Sequence, residues 1–195
     1  IDLASGEGTD GIASGDFNND GIKDLAVCAR LDNAMHIFLG DGSGGLVPGS
    51  ANDVSGLCMS LEAGLINGDS NLDIITANYS SNSISLLMGD GLGGFGEPRT
   101  IFIGDNVYDV GLGDIDDDGA ADAALISADV EEVIILKGDG AGGFTYVASH
   151  DVGDFPCRLK LADINLDGRL DIGTANRGSG PGVTILLGDG QGGTL

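Results

Sequence analysis

Residues 114–138 read DIDDDGAADAALISADVEEVIILKG, and the order of residue types along them decides the fold. An Asp-rich turn, Asp114 to Asp122, gives way to an apolar run, Ala123 to Ser127, then a polar turn, Ala128 to Glu132, then a second apolar run, Val133 to Lys137. Val110 to Gly113 precedes the stretch, and a Gly-rich turn, Gly138 to Gly143, and a weaker run, Phe144 to Ser149, follow it. Runs of four to six residues with β-branched content, punctuated by Gly and Asp, read as strands and not helices. The unit is therefore expected to be a four-stranded antiparallel sheet.

The unit recurs. Gly-Asp-Gly phrases begin at Gly40, Gly89, Gly138 and Gly188, and the Asp that closes each acidic turn stands at Asp24, Asp73, Asp122 and Asp171, at intervals of 49. Four units account for all 195 residues. The runs 37-IFL-39, 84-ISLL-87, 133-VIIL-136 and 183-VTILL-187 are apolar on both faces, which suits sheets packed face to face. Repeats of this length with four strands each are the signature of propeller blades, because a lone sheet cannot bury both faces. The expectation is an all-β chain, one β-propeller domain over 1–195 of four four-stranded antiparallel blades, near 10–53, 58–104, 107–152 and 156–195. A strand over residues 1–5 is expected to complete the last blade and remove two exposed edges. Two alternatives stand beside closure: the ends fall between blades of a longer protein, or two chains join into a larger ring.

Composition agrees. The chain has 36 Gly, 4 Pro and 42% apolar residues, which excludes collagen, Pro-rich disorder and an acidic disordered tail. Of 31 acids, 26 are Asp and 5 are Glu, a skew toward turns over helices. A net charge of -23 argues against nucleic acid or an anionic membrane surface and in favour of cations. No run approaches the roughly 20 apolar residues of a membrane span, and the chain opens at Ile1 without a signal-peptide pattern, so a soluble, trimmed fragment is expected. Cys28, Cys58 and Cys157 make an odd count without metal spacing. Cys28 is expected in the core. Cys58 and Cys157 hold nearly equivalent places in the second and fourth units, so a bridge between them stands as one option and buried thiols as the other.

The acidic turns carry the chemistry. The first, Asp16 to Asp24, the third, Asp114 to Asp122, and the fourth, Asp163 to Asp171, share D-x-[DN]-x-D-G-x-x-D. Oxygen side chains at positions 1, 3 and 5, a carbonyl at 7 and a last carboxylate at 9 can converge on one point, with Gly at 6 allowing the turn. The expected ligands are Asp16, Asn18, Asp20, Ile22 (carbonyl) and Asp24; Asp114, Asp116, Asp118, Ala120 (carbonyl) and Asp122; and Asp163, Asn165, Asp167, Arg169 (carbonyl) and Asp171. Oxygen donors without His or Cys select Ca2+, at about three sites. These loops place ten carboxylates at ligand positions, and three Ca2+ would bring the net charge from -23 to -17. The second turn has Leu65 at position 1 and Ser70 at position 6. It is expected to be weak or empty, with Asn67, Asp69 and Asp73 as partial ligands. The competing reading is that the acids merely cap local N–H groups.

The phrases 15-GDFNNDGIKDLAV-27, 74-IITANYSSNSISLLMGDGLGGF-95 and 162-ADINLDGRLDIGTAN-176 resemble the FG-GAP and VCBS class of repeats, found in integrin α-subunit propellers and many secreted bacterial proteins. The Phe-Gly pair occurs only at Phe95-Gly96 with no Gly-Ala-Pro, so the resemblance is nearer the VCBS branch. It implies a propeller, often seven-bladed, with Ca2+ in the acidic loops and partners docking on the opposite face. That face is expected to carry Arg30 to Ala34, Asn78 to Asn82, Ala128 to Glu132 and Asn176 to Gly182, with segments around Asp53, Asn106 and Asp154.

The leading functional expectation is a non-enzymatic, calcium-binding extracellular or secreted module, cell-surface and periplasmic settings included, that binds a carbohydrate or an extracellular protein. Fungal propeller lectins are similar in repeat type; Trp is absent here and Tyr79 is the best exposed aromatic candidate. The alternatives are a propeller part of a secreted polysaccharide-active enzyme, as in some lyases, and a structural segment of a longer repeat protein. His36 and His150 fall in strands of different units and belong to no nucleophile-activating phrase.

Overall fold

The computed structural model describes residues 5–193. Sheet one contains β1 (Thr9–Gly15), β2 (Asp24–Ala29), β3 (Ala34–Gly40) and β4 (Leu46–Asp53). Sheet two contains β5 (Cys58–Gly64), β6 (Asp73–Asn78), β7 (Ser83–Leu87) and β8 (Arg99–Phe102). Sheet three contains β9 (Val107–Gly113), β10 (Asp122–Ser127), β11 (Glu132–Gly138) and β12 (Phe144–Asp151), and sheet four β13 (Pro156–Ala162), β14 (Asp171–Asn176) and β15 (Val183–Leu186). Each sheet is antiparallel with strands in sequence order, so one repeat folds into one sheet. The fourth has three strands among the described residues; of the segment expected to complete it, Ile1 to Ala4 lie outside them.

Apolar character on both faces has a direct consequence in packing. Ile74 and Leu87 point into a core shared with sheet one, where Phe17, Met35 and Ile37 meet them, whereas Ile75, Ile84 and Leu86 point into a core shared with Val110 and Leu125 of sheet three. Sheet three repeats the arrangement toward sheet four, with Ile126 and Ile135 against Leu159 and Ile172. Three interfaces therefore hold three cores. Each fully buried Leu or Ile in them contributes about 1.5–3 kcal/mol. The central strands β6 and β10 are buried at every position, while the outer strands β4 and β12 are largely exposed.

The first strands lie side by side, β1 on β5, β5 on β9 and β9 on β13. The approach is close enough that a Cβ at Gly11 would sit 2.8 Å from the Ser60 Cα. All four line one cavity of about 290 Å³, so the sheets are arrayed about a common axis in the manner of propeller blades. Among the described residues nothing covers the two outward faces of the row: Ile12 of β1 is 62% exposed and Val183 of β15 63%.

The Gly-Asp-Gly turns stitch successive sheets. The Gly93 N–H donates to the Phe17 carbonyl at 3.0 Å and the Gly142 N–H to the Ile66 carbonyl at 3.2 Å, each reaching the acidic loop of the preceding sheet. Each turn is held by its own Asp: one oxygen of Asp41, Asp90, Asp139 and Asp189 accepts N–H bonds from the residues two and four positions on.

The cysteines depart from the expectation. Cys28, at the buried end of β2, is bonded to Cys58 at the start of β5, with Cα atoms 5.5 Å apart, within ordinary disulfide range. Cys157 is the free, buried thiol. The bridge ties neighbouring sheets one and two, and the option of a Cys58–Cys157 bridge is corrected by it.

Candidate metal centres and the opposite face

Each acidic loop joins the first and second strands of its sheet. Backbone and side chains fold it alike in the first, third and fourth repeats. Asp16 accepts the N–H groups of Asp20 (3.1 Å) and Gly21 (2.8 Å), and Asp114 and Asp163 accept those of their own positions 5 and 6. The position-5 acids Asp20, Asp118 and Asp167 accept the N–H of position 7, Ile22, Ala120 and Arg169. Gly21, Gly119 and Gly168 at position 6 have φ of 85°, 91° and 91°, and an added Cβ would meet nothing within 4 Å. Conformation, not space, requires glycine there. Asn18 and Asn165 at position 3 each donate to the position-5 acid, at 2.8 and 3.0 Å.

The closing acid has a task that its place in the motif did not announce. One oxygen of Asp24 accepts the Phe17 N–H and the other the Gly40 N–H, both at 2.8 Å. Asp122 does the same with Ile115 (2.9 Å) and Gly138 (2.8 Å), and Asp171 with Ile164 and Gly188 (both 2.9 Å). These buried carboxylates staple the acidic loop to the end of the third strand. Asp73 makes the same bonds, to Ile66 and Gly89 at 2.9 Å, in the loop that has Leu65 in place of the first acid. Burial pushes the carboxyls of Asp73 and Asp122 above their ordinary range. Asp171, in the end sheet, is pulled down, mainly by the Gly188 N–H.

In the third loop, oxygens of Asp114, Asp116 and Asp122 all lie within 4.8 Å of one another. Oxygens on a shell of about 2.4 Å radius around one ion are at most about 4.8 Å apart, so the three lie within the span that one such ion allows. The loop already attracts a cation: the Lys137 ammonium, from β11, bonds Asp116 and lies 2.8 Å from Asp118. Lys137 was not a sequence candidate, although it is the one charged residue at a place held elsewhere by Leu39, Met88 and Leu187. The second loop keeps Asn67 and Asp69 bonded to each other, at 3.1 Å, and Asp69 bonded to the Asn71 N–H. With the exposed Leu65 at position 1, that position supplies no side-chain oxygen.

At the opposite end, the turns after the second strands begin with Arg30, Tyr79, Ala128 and Arg177. Their N–H groups donate to the residue just before or at the start of each first strand, Gly8, Leu57, Asn106 and Phe155. Tyr79 meets Tyr108 edge to face, with centroids 6.0 Å apart, and the Arg158 guanidinium lies 5.7 Å from the Tyr108 ring centre. The axial cavity carries Glu62, Asp109, Arg158 and Lys160. Asp109 is 5% exposed and accepts the Leu159 N–H at 2.8 Å; burial raises its carboxyl and that of Glu62.

No protein-family model matches the sequence, and neither does any curated protein. Solved structures do match. A complex of BBS1N with ARL6DN aligns with a TM-score of 0.63 at 14% identity, over 89% of this chain and 53% of that one. The periplasmic gluconolactonase PpgL of Pseudomonas aeruginosa aligns with a TM-score of 0.60 at 14% identity, over 80% and 42%. A Lactobacillus plantarum protein aligns at 0.59 and 14% identity, over 85% and 52%. The chain thus spans about half the length of these structures, and at such identities the likeness establishes the propeller-type fold alone.

Proposed function

We propose that this chain is a calcium-braced, propeller-type binding module of the FG-GAP and VCBS class, engaging a carbohydrate or protein outside the cell. The observation that carries the calcium reading is the convergence of Asp114, Asp116 and Asp122 oxygens in a loop geometry repeated at Asp16 and Asp163. Asp118 and the Ala120 carbonyl would complete that shell; Asp16, Asn18, Asp20, the Ile22 carbonyl and Asp24 would form the first, and Asp163, Asn165, Asp167, the Arg169 carbonyl and Asp171 the fourth. Bound Ca2+ would neutralise the loops and so brace the turns against which the next sheet packs. The Cys28–Cys58 bridge supports an oxidising compartment. The exposed end faces support completion by further sheets, from a longer chain or from a second copy in a larger ring.

The test is thermal melting with calcium and with EDTA. A ligand held only by the folded state stabilises it by mass action, so added Ca2+ raises Tm and chelation lowers it. A curve indifferent to both rejects the calcium reading.

One observation favours a second reading. The axial cavity gathers the buried Asp109 and the half-buried Glu62, both with raised carboxyls, beside two basic side chains, an arrangement able to exchange a proton with a bound ligand. That would suit the catalytic part of a polysaccharide-active enzyme, and loss of hydrolase or lyase activity in Asp109→Asn would be its mark.

A further inference from the structure

We propose that the cleft between Tyr79, Tyr108 and Phe155 is a binding site for a single acidic sugar residue, one that carries a carboxylate beside a pyranose ring. The proposal rests on the binding-module reading and names its ligand class. The cleft, of about 90 Å³, lies at the end of the sheets opposite the acidic loops and takes residues from sheets two, three and four. Arg177 and Asp129 stand at its sides. Its volume admits the face of one ring and not a chain of them.

Three features mark the cleft. Phe155 has φ +57° and is 65% exposed. A left-handed backbone is unfavourable for a bulky side chain, and this one is not repaid by burial of its ring. The corresponding place in the first repeat is held by Gly8, at φ +67°, which makes the same backbone bond without strain. Tyr108 is the extra residue of a β-bulge that the repeat carries also at Met59 and Cys157, so the fold supplies the bulge and the sequence places an aromatic ring on it only here. Both of these aromatics, with Tyr79, converge on one cleft, whereas the equivalent places elsewhere hold Arg30, Ala128, Met59 and Leu57.

The third feature is charge. In a chain with 31 acids and 8 basic residues, Arg30, Lys137 and Lys160 each pair with carboxylates. The Arg177 guanidinium has no ion pair or hydrogen bond among the described residues, although Asp129 and Asp154 lie on the same end of the fold. A planar fork left free beside aromatic faces matches a ligand whose carboxylate takes the fork while its ring C–H face stacks on Phe155 or Tyr79. The Asp129 carboxylate is placed to accept a sugar hydroxyl. Arg158, held over Tyr108, adds positive potential to the same wall.

Titration of the calcium-loaded chain with glucuronate, galacturonate and glucose, followed by NMR shifts of the cleft residues, tests this. A uronate should bind saturably and at least tenfold more tightly than glucose. Arg177→Gln should abolish that preference. Phe155→Gly should reduce uronate affinity at least tenfold while leaving Tm unchanged or higher, an outcome that a purely structural Phe155 would reverse. If a sugar binds but ignores both substitutions, the cleft is overturned and the module reading survives. If no uronate binds the folded, calcium-responsive chain, the ligand class is overturned. Binding of an acidic peptide in place of the uronates overturns it equally.

Discussion

Lys137 reaches from β11 into the third acidic loop, where its ammonium lies 2.8 Å from the Asp118 carboxylate and also bonds Asp116. The neighbouring acids raise the lysine's pKa, so it remains charged throughout the ordinary pH range. A side chain that supplies one positive charge to the loop competes with a divalent ion for the same oxygens. Lys137→Met should therefore tighten Ca2+ binding at the third loop. The gain should be a few-fold and no more, since exposed ion pairs contribute little net free energy. Calorimetric titration that resolves the sites checks this, and weaker binding in the variant would mean that Lys137 organises the loop and does not compete for it.

The position-9 acids and the position-1 acids should part company under chelation. Asp73→Ala and Asp122→Ala strand two buried N–H groups each, at about 1–3 kcal/mol per group, with calcium or without it. Asp114→Ala should lose its larger part only when calcium is present. Asp69→Ala, in the defective second loop, should change stability by no more than about 1 kcal/mol under either condition. Urea midpoints for the four variants in calcium and in EDTA give the comparison. Equal losses for Asp73→Ala and Asp69→Ala would remove the staple.

The fold was legible because Gly and Asp recur at places where few other residues serve. The left-handed φ of Gly21, Gly119 and Gly168 and the doubly bonded Asp24, Asp73, Asp122 and Asp171 are backbone requirements, and they repeat with the backbone. The candidate site was legible only in part. An Asp that caps N–H groups and an Asp that awaits an ion are one letter, so the stapling role at position 9 could not be separated from ligation by spacing. The Cys28–Cys58 pair depends on the end of β2 meeting the start of the next sheet, a contact between units that no repeat within a unit announces. Tyr79 stood out in a turn, but Tyr108 and Phe155 join it only through a bulge and a left-handed residue.

The disulfide makes a prediction of its own. Closing a separation of 30 residues restricts the unfolded chain by about 3.5 kcal/mol in the chain-entropy account. Reduction, or Cys28→Ser with Cys58→Ser, should lower the urea midpoint by a matching amount and loosen sheet one from sheet two. Alkylation of the denatured, unreduced chain should label one thiol, Cys157. Labelling of all three cysteines would dismiss the bridge.

Asp109 sets the pH dependence of the axis. Burial raises its carboxyl above the ordinary value of about 3.9, with the Ser60 side chain and the Leu159 N–H acting in the opposite direction. The folded state therefore holds this proton more tightly than the unfolded state, and stability linked to it falls as pH rises from the unfolded value through the folded one. At neutral pH the ionised, desolvated group is a burden on the fold. Asp109→Asn keeps an acceptor for Leu159 and removes the charge, so it should raise Tm at pH 7, and the advantage should vanish toward pH 3, where both side chains are neutral. Melting curves of wild type and variant across that interval test the sign. An advantage that grows on acidification would show that Asp109 is stabilised as the anion, with Arg158 as its effective partner.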